Sequence, residues 1–325
     1  MRKPMDSKAL TEGALFAALT AIFALLGLWI PPLKIVTNLI WTVPIVIVII
    51  RHDLRIGVIT TVVASALVML ISDPVRAFFL ILQFGGVGLI YGWLFKKQAS
   101  PGKMILFGSM AAGLSMVLML IFSSWMMGFD ITTIDQQLKE TVEPSLEMYR
   151  QLGLIERMAD QGVTEQQLKQ SMENLVTMFI TLIPGVLILS SIFSAILNFV
   201  VARIIIKRLG YSVPYLPPFR KWQLPWYSIW GFIAGLAISL LGDVFSSTTA
   251  ARVGHNILYI YVPFLLISGT SVLVYFFKEK IKTSWTRGIL IFFVILYWPV
   301  AMLMISLIGL FDPFFNWRKL GKETV

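Results

Sequence analysis

The chemistry open to this chain of 325 residues is limited by the side chains it lacks. There is no Cys, which removes disulfides, thiolate metal sites and Cys nucleophiles, and the only two His, His52 and His255, stand about 200 positions apart. No His-Glu-x-x-His and no nucleophile elbow occurs. The run Gln83-Phe84-Gly85-Gly86-Val87-Gly88, continuing to Gly92, is no phosphate loop, because no Lys-Ser/Thr follows it and no strand precedes it. Leu241-Gly242-Asp243 has the look of an intramembrane aspartyl-protease loop, but a second buried Asp to share a proton is missing. The sequence therefore reads as no enzyme, with no catalytic residue, no metal site and no cofactor. Any ATP-driven transport would need a separate ATPase.

What remains is polar groups that could hold a ligand. Gln83 follows Pro74 by nine residues, about 13 Å along a helix, which puts an amide near the middle of an apolar segment where it needs a helix, a ligand or water as partner. Asp73 and Arg76 open the same segment, and Asp73 ahead of Pro74 also reads as a helix cap needing no ligand. Asn38 and Thr42, Asp243, and His255 with Asn256 fall on the same expected side. The ligand-binding set expected from the sequence is Gln83, Asn38, Asp73 and Arg76. Asn198 and Glu12 lie toward the opposite side, where Glu12 can snorkel to the surface.

The elements that must position these groups follow from composition. Hydrophobic residues make up 57% and charged residues 14%, with a mean hydropathy of +0.82, far from the roughly 25% charge of soluble domains. The expectation is an all-α polytopic membrane protein of about eight or nine transmembrane helices. Apolar segments run at about 9–30, 36–50, 54–71, 75–95, 104–128, 178–206, 226–245, 256–277 and 288–310. The second is short and holds Pro44, and the last is divided by Pro299. Trp29, Trp93, Trp125, Trp226 and Trp285 mark segment ends, as amphipathic rings do at the headgroup level.

The net charge of +10 is topological. With the N-terminus cytoplasmic, 17 basic residues fall in inner segments and only Lys34, Arg76 and Arg252 in short outer loops, which orients the chain in a bacterial cytoplasmic membrane. The partner of this charge is then the lipid bilayer, including anionic headgroups, and no motif supports nucleic acid. Nine crossings leave the tail Arg318, Lys319 and Lys322 on the wrong side. Either one segment fails to cross or the tail is an exception.

The chain divides into helices 1–5 over 1–128, an acidic outer insert over 129–177, a sixth span over 178–206 and C-terminal spans over 207–325. In the insert, Ile131, Ile134, Leu138, Val142, Leu146, Tyr149 and Leu152 recur at helical spacing, with Pro144 expected to bend the helix. Thr164 and Gln167 form a capping-box spacing that opens a helix with no breaker before Pro184, so the sixth span should project from the bilayer. A packed hairpin and a lid over an outer site both fit the insert.

Segment one carries Gly13, Ala14, Ala17, Ala18 and Ala21. The pairs Ala14/Ala18 and Ala17/Ala21 each share a helix face and admit a close neighbour, either within the chain or on a partner. The opening Leu10-Thr11-Glu12-Gly13-Ala14-Leu15-Phe16-Ala17-Ala18-Leu19-Thr20, the basic loop at Arg51 to Arg55 and the Asp73-Pro74 start resemble the beginning of substrate-capture (S) components of energy-coupling-factor vitamin transporters. That resemblance implies a six-helix half that holds ligand from the outer side. It also implies that Ala14, Ala17, Ala18 and Ala21 face a coupling transmembrane subunit served by separate ATPases. Three further segments depart from the six-helix pattern. The whole chain, with Gly309-Leu310-Phe311-Asp312 followed by Trp317-Arg318, resembles the YybS-like family of bacterial membrane proteins. The functional expectation is capture of a small or lipid-derived molecule at the outer face. The rival is a membrane scaffold similar to MreD-like shape proteins that docks other membrane proteins.

Overall fold

Fourteen α-helices and two short 3-10 helices, Pro31–Leu33 and Phe219–Lys221, make up the regular structure in a computed structural model that describes residues 6–128, 133–280 and 283–320. They are α1 (Ser7–Trp29), α2 (Lys34–Ile40), α3 (Val43–Arg51), α4 (Leu54–Ile71), α5 (Pro74–Lys96), α6 (Pro101–Met127), α7 (Ile134–Glu140), α8 (Val142–Gln151), α9 (Leu154–Ala159), α10 (Glu165–Arg208), α11 (Ser228–Val244), α12 (Thr248–Glu279), α13 (Ser284–Leu296) and α14 (Trp298–Phe315). Among the described residues no strand occurs, and eight helical stretches are long and apolar enough to cross a membrane. The protein is an all-α polytopic membrane protein. The shorter apolar helices α11 and α13 stand outside those eight. Trp29, Trp93, Trp125, Trp226 and Trp285 are all exposed.

The chain gathers into two units, Met1–Thr132 with Leu187–Leu216, and Thr133–Val186 with Pro217–Val325. The sixth span, expected as one piece, is thus shared, its first half in the second unit and its second half in the first.

In the first unit the short second segment is broken at Trp41–Thr42 into α2 and α3, and α3 becomes its centre: Val43 to Ile49 are all buried. A helix apolar on every side suits such a place. Inside lipid, burial itself gains little, so cohesion comes from close packing. Gly57 and Gly92 supply it, since a Cβ on either would overlap Ile49, and a Cβ on Gly88 would touch Ile45. The glycines of the fourth segment therefore serve helix contact. Asp53 and Asp73 start α4 and α5 by accepting from Ile56 N at 2.9 Å and Val75 N at 2.7 Å.

In the second unit the insert is three short helices. Pro144 does not bend a continuous helix. The first helix ends at Glu140, the residue whose carbonyl the Pro144 ring would strike, and Pro144 sits in the opening turn of α8. Val142 and Leu146 turn inward as their spacing required, while Ile131 lies outside the described residues. Arg150 bridges Glu147 at 2.7 Å and Glu165, and Lys169 reaches Glu143 at 2.9 Å. These bonds hold both carboxyls below the ordinary range: Lys169 does so chiefly for Glu143, and Arg150 for Glu147. Thr164 and Gln167 form the reciprocal cap, at 2.9 and 3.2 Å, and α10 then runs for 44 residues, about 66 Å against a hydrocarbon core of roughly 30 Å.

Helices α11 and α12 are antiparallel: Gly242 meets Ala251, Gly254 meets Ser239, and Gly231 meets Tyr261. Helices α12 and α14 touch backbone to backbone, Gly309 at the Leu265 carbonyl and Gly269 at the Ile305 carbonyl, places that no larger residue could occupy. Ser271, just beyond Gly269, and Asp312, just beyond Gly309, both reach the loop at Trp222–Gln223, so the two helices run in the same direction. The chain must therefore return between them. The ninth segment is accordingly two helices, split at Tyr297, and its end comes back to the face that carries Arg220 and Glu279. Arg318 thereby lies beside Arg220 at the α12 end of this unit, and Lys322 of the tail lies outside the described residues.

Candidate functional site

Of the expected ligand residues, Gln83 and Arg76 stand on α5, Asp73 just ahead of it and Asn38 on α2. Gln83 is exposed on α5 with no hydrogen-bond partner among the described residues, so no neighbouring helix satisfies its amide. Asn38 is half-buried in α2, also without a side-chain hydrogen bond. Asp73 is occupied as the cap of α5. The Arg76 side chain lies outside the described residues. Asp243 and His255 are exposed.

Asn256 has a structural task. Pro184 removes one donor from the ladder of α10. Beside it, Asn256 Oδ1 accepts from Gly185 N at 2.6 Å, and Asn256 Nδ2 donates to the Thr181 carbonyl at 2.7 Å. One side-chain amide thus serves the backbone groups on both sides of the proline. Asn198, read from the sequence as lying toward the inner side, is buried with its Oδ1 accepting from Thr42 Oγ1 at 3.3 Å.

The alanines of α1 separate by face. Ala17 and Ala21 are buried with Gly13 and Thr20, and Thr60 Oγ1 donates to the Gly13 carbonyl at 3.3 Å. Ala14 and Ala18 are exposed beside Leu15 and Ile22. One pair packs within the chain and the other faces outward.

A cavity of about 290 Å³ lies between α11, α12 and α14, lined by Phe232, Val262, Leu265, Met302, Leu303, Ser306, Leu307 and Leu310. Val262 is 14 residues from the start of α12 and Leu265 is 14 from its end, about 21 Å from each. The cavity is therefore midway along the helix. Its one polar side chain, Ser306, already donates to the Met302 carbonyl at 2.8 Å. Leu303 and Leu307 are exposed, which opens the cavity on the surface of the unit. Sequence reading missed it, since α14, which follows α12 only after the intervening α13, closes the wall that α11 and α12 begin.

Two polar networks were also only partly legible. In the first unit Glu12 Oε2 takes His52 Nε2 at 2.9 Å and Arg51 Nη1 at 3.2 Å, while Arg51 Nε donates to Tyr211 Oη at 2.6 Å. In the second unit Asp312 and Arg318 form an ion pair at 2.6 Å with both side chains 0% exposed. Arg318 also donates to the Arg220 and Trp222 carbonyls and to Ser271 Oγ, and Gln223 donates to Asp312. Asp312 and Arg318 belong to the motif that suggested a family, and here they fasten the tail to the α11 and α12 ends. Among the described residues no three His, Asp or Glu side chains gather as metal ligands.

The model of a family described as a predicted membrane protein (DUF2232) matches residues 18–313. The uncharacterized protein YybS of Bacillus subtilis (strain 168) is 24% identical over 320 residues, 96% of this chain and 98% of that one. No solved structure matches, so the likeness to S components rests on the sequence motif alone. The match to DUF2232 runs from within α1 to within α14 and reaches Asp312, the acidic half of the buried pair; the chain belongs to this YybS-like family of membrane proteins.

Proposed function

We propose that the protein is a binding component of a bacterial cytoplasmic membrane, with its N-terminus cytoplasmic, and that it holds the hydrocarbon chain of a lipid-derived molecule. The cavity between α11, α12 and α14 carries this reading. Its lining is apolar, its only hydroxyl is already bonded, and it lies midway along α12, where the surrounding solvent is lipid. Ligand pockets run to roughly 300–1,000 Å³, so 290 Å³ suits a single chain segment and leaves the headgroup outside. Binding, and no chemistry at the bound molecule, is the role these residues fit.

Native mass spectrometry of the purified protein tests this. The wild type should retain a chain-bearing molecule, and Val262→Phe, which places a ring in the cavity, should lose most of it while remaining folded. A wild type that carries none, or a variant that carries as much, overturns the reading.

The exposed Ala14/Ala18 face of α1 favours a second reading, in which another membrane protein docks there. That partner would be a coupling subunit with separate ATPases if the chain acts like an S component, or a morphogenesis-type assembly if it acts as a scaffold. Ala14→Leu with Ala18→Leu should then lower co-purification of the partner while thermal stability holds, because neither side chain packs within the chain. A fall in stability would mean that the face is used internally.

A further inference from the structure

One end of the first unit is built from three loops that bind to one another. Arg51 joins Tyr211, Lys96 donates to the His52 carbonyl, and Gln98 donates to the Ser212 carbonyl at 2.9 Å while Ser212 Oγ donates to Gln98 Oε1 at 3.4 Å. These bonds tie residues 51–55, 96–103 and 207–213 into one platform at the ends of α3, α5 and α10 and the starts of α4 and α6.

The charges on this platform divide into used and unused. Glu12 is taken by His52 and Arg51, and Asp53 is taken by the Ile56 amide. Five cations, Arg55, Lys97, Lys103, Lys207 and Arg208, are exposed and have no ion-pair partner among the described residues. Lys97 Nζ sits 4.3 Å from the centre of the Trp93 ring, and Trp93 is itself exposed. A cation stacked on an indole at the end of an apolar helix is placed at headgroup level. Asp53 keeps its negative charge while it caps α4, but the exposed cations of the platform outnumber it, so net positive charge remains beside helices whose apolar faces lie in hydrocarbon.

We propose that this platform binds the phosphodiester headgroups of anionic phospholipids in the adjoining leaflet. Complementarity of charge selects the headgroup, and the ends of five apolar helices place the cations in its plane. Each cation near an anionic surface strengthens attachment about fivefold. The exposed side chains make the site one of charge and position, and it is independent of the cavity in the second unit.

The test uses the full chain, delipidated in neutral detergent and titrated with phosphatidylglycerol or phosphatidylcholine, with retained lipids counted by native mass spectrometry. Wild type should prefer phosphatidylglycerol, and Lys97→Gln, Lys103→Gln, Lys207→Gln and Arg208→Gln combined should weaken that preference at least about tenfold. The control variant Lys139→Gln with Arg157→Gln, which removes cations from the acidic insert, should keep it. Unfolding midpoints of both variants should match wild type, since none of these side chains holds another residue through an ion pair. Excess inorganic phosphate should compete only weakly, because a free ion lacks the chains that hold a headgroup at the platform. Equal retention of the two lipids by wild type, equal loss in the control, or full displacement by inorganic phosphate each overturns the proposal. So does a platform that takes up an acidic peptide but no phosphatidylglycerol.

Discussion

Two ion-pair networks of similar composition sit in very different surroundings. In the first unit Glu12 meets Arg51 and His52 with side chains 24%, 44% and 18% exposed, so water reaches every partner. In the second unit Asp312 and Arg318 are wholly enclosed. An exposed pair gains little over its hydrated parts, whereas a buried pair cannot lose one member without stranding the other. The first network therefore orders loops, and the second closes the fold at its C-terminal end. The comparison also explains the peptide carbonyls around Arg318: three guanidinium nitrogens are fully used by Asp312, Ser271, Arg220 and Trp222, which makes a buried charge tolerable.

The largest expected effect comes from breaking the enclosed pair. Arg318→Met leaves Asp312 buried without its cation and should lower stability by about 3–5 kcal/mol, read from thermal or denaturant unfolding in detergent. Adding Asp312→Leu should restore much of the loss, because apolar replacements of both members remove the stranded charge. Additive losses in the double variant would mean that the two residues act separately, and the contrast between the networks would fall. A smaller loss, about 1–3 kcal/mol, should follow Asn256→Leu, which strands Gly185 N and the Thr181 carbonyl beside Pro184.

These effects also mark what the sequence could and could not say. Caps were legible because they are local: Asp73 and the Thr164/Gln167 pair satisfy backbone groups within three residues. Glycines four apart in the fourth segment were legible as a contact face for the same reason. The burial of Arg318 was not, since its partners lie 98, 96, 47 and 6 positions away and only the fold assembles them. The face of Gln83 was hidden by α5 itself, which is apolar nearly all round and gives no periodicity to tell inside from outside. Pro299 announced a division of the last segment, yet only the parallel course of α12 and α14 shows that the division reverses the chain.

Between these extremes, Glu12→Gln should move the unfolding midpoint less than either variant above, because its partners stay hydrated. The same substitution should loosen the Arg51 contact, which hydrogen exchange at the end of α3 would register. A midpoint shift as large as that of Arg318→Met would remove the distinction between a solvated and an enclosed network.

The smallest expected effect concerns acid, and it lies in the insert. Glu143 and Glu147 are held below the ordinary carboxylate range by Lys169 and by Arg150. A carboxyl whose folded value is depressed contributes stability above its unfolded value, about 4.3, and loses that contribution as pH falls through the folded value. From neutral pH down to about 5 the insert should therefore show no change in protection. As pH falls through the lowered values of Glu143 and Glu147, protonation should remove their contacts to Lys169 and Arg150, and amides of α8 should exchange faster while those of α3 and α12, which these pairs do not touch, stay protected. Hydrogen exchange across this range reads the difference directly. Loosening of α8 already at pH 6, or loosening of α12 together with α8, would show that the insert is held by something other than these exposed pairs.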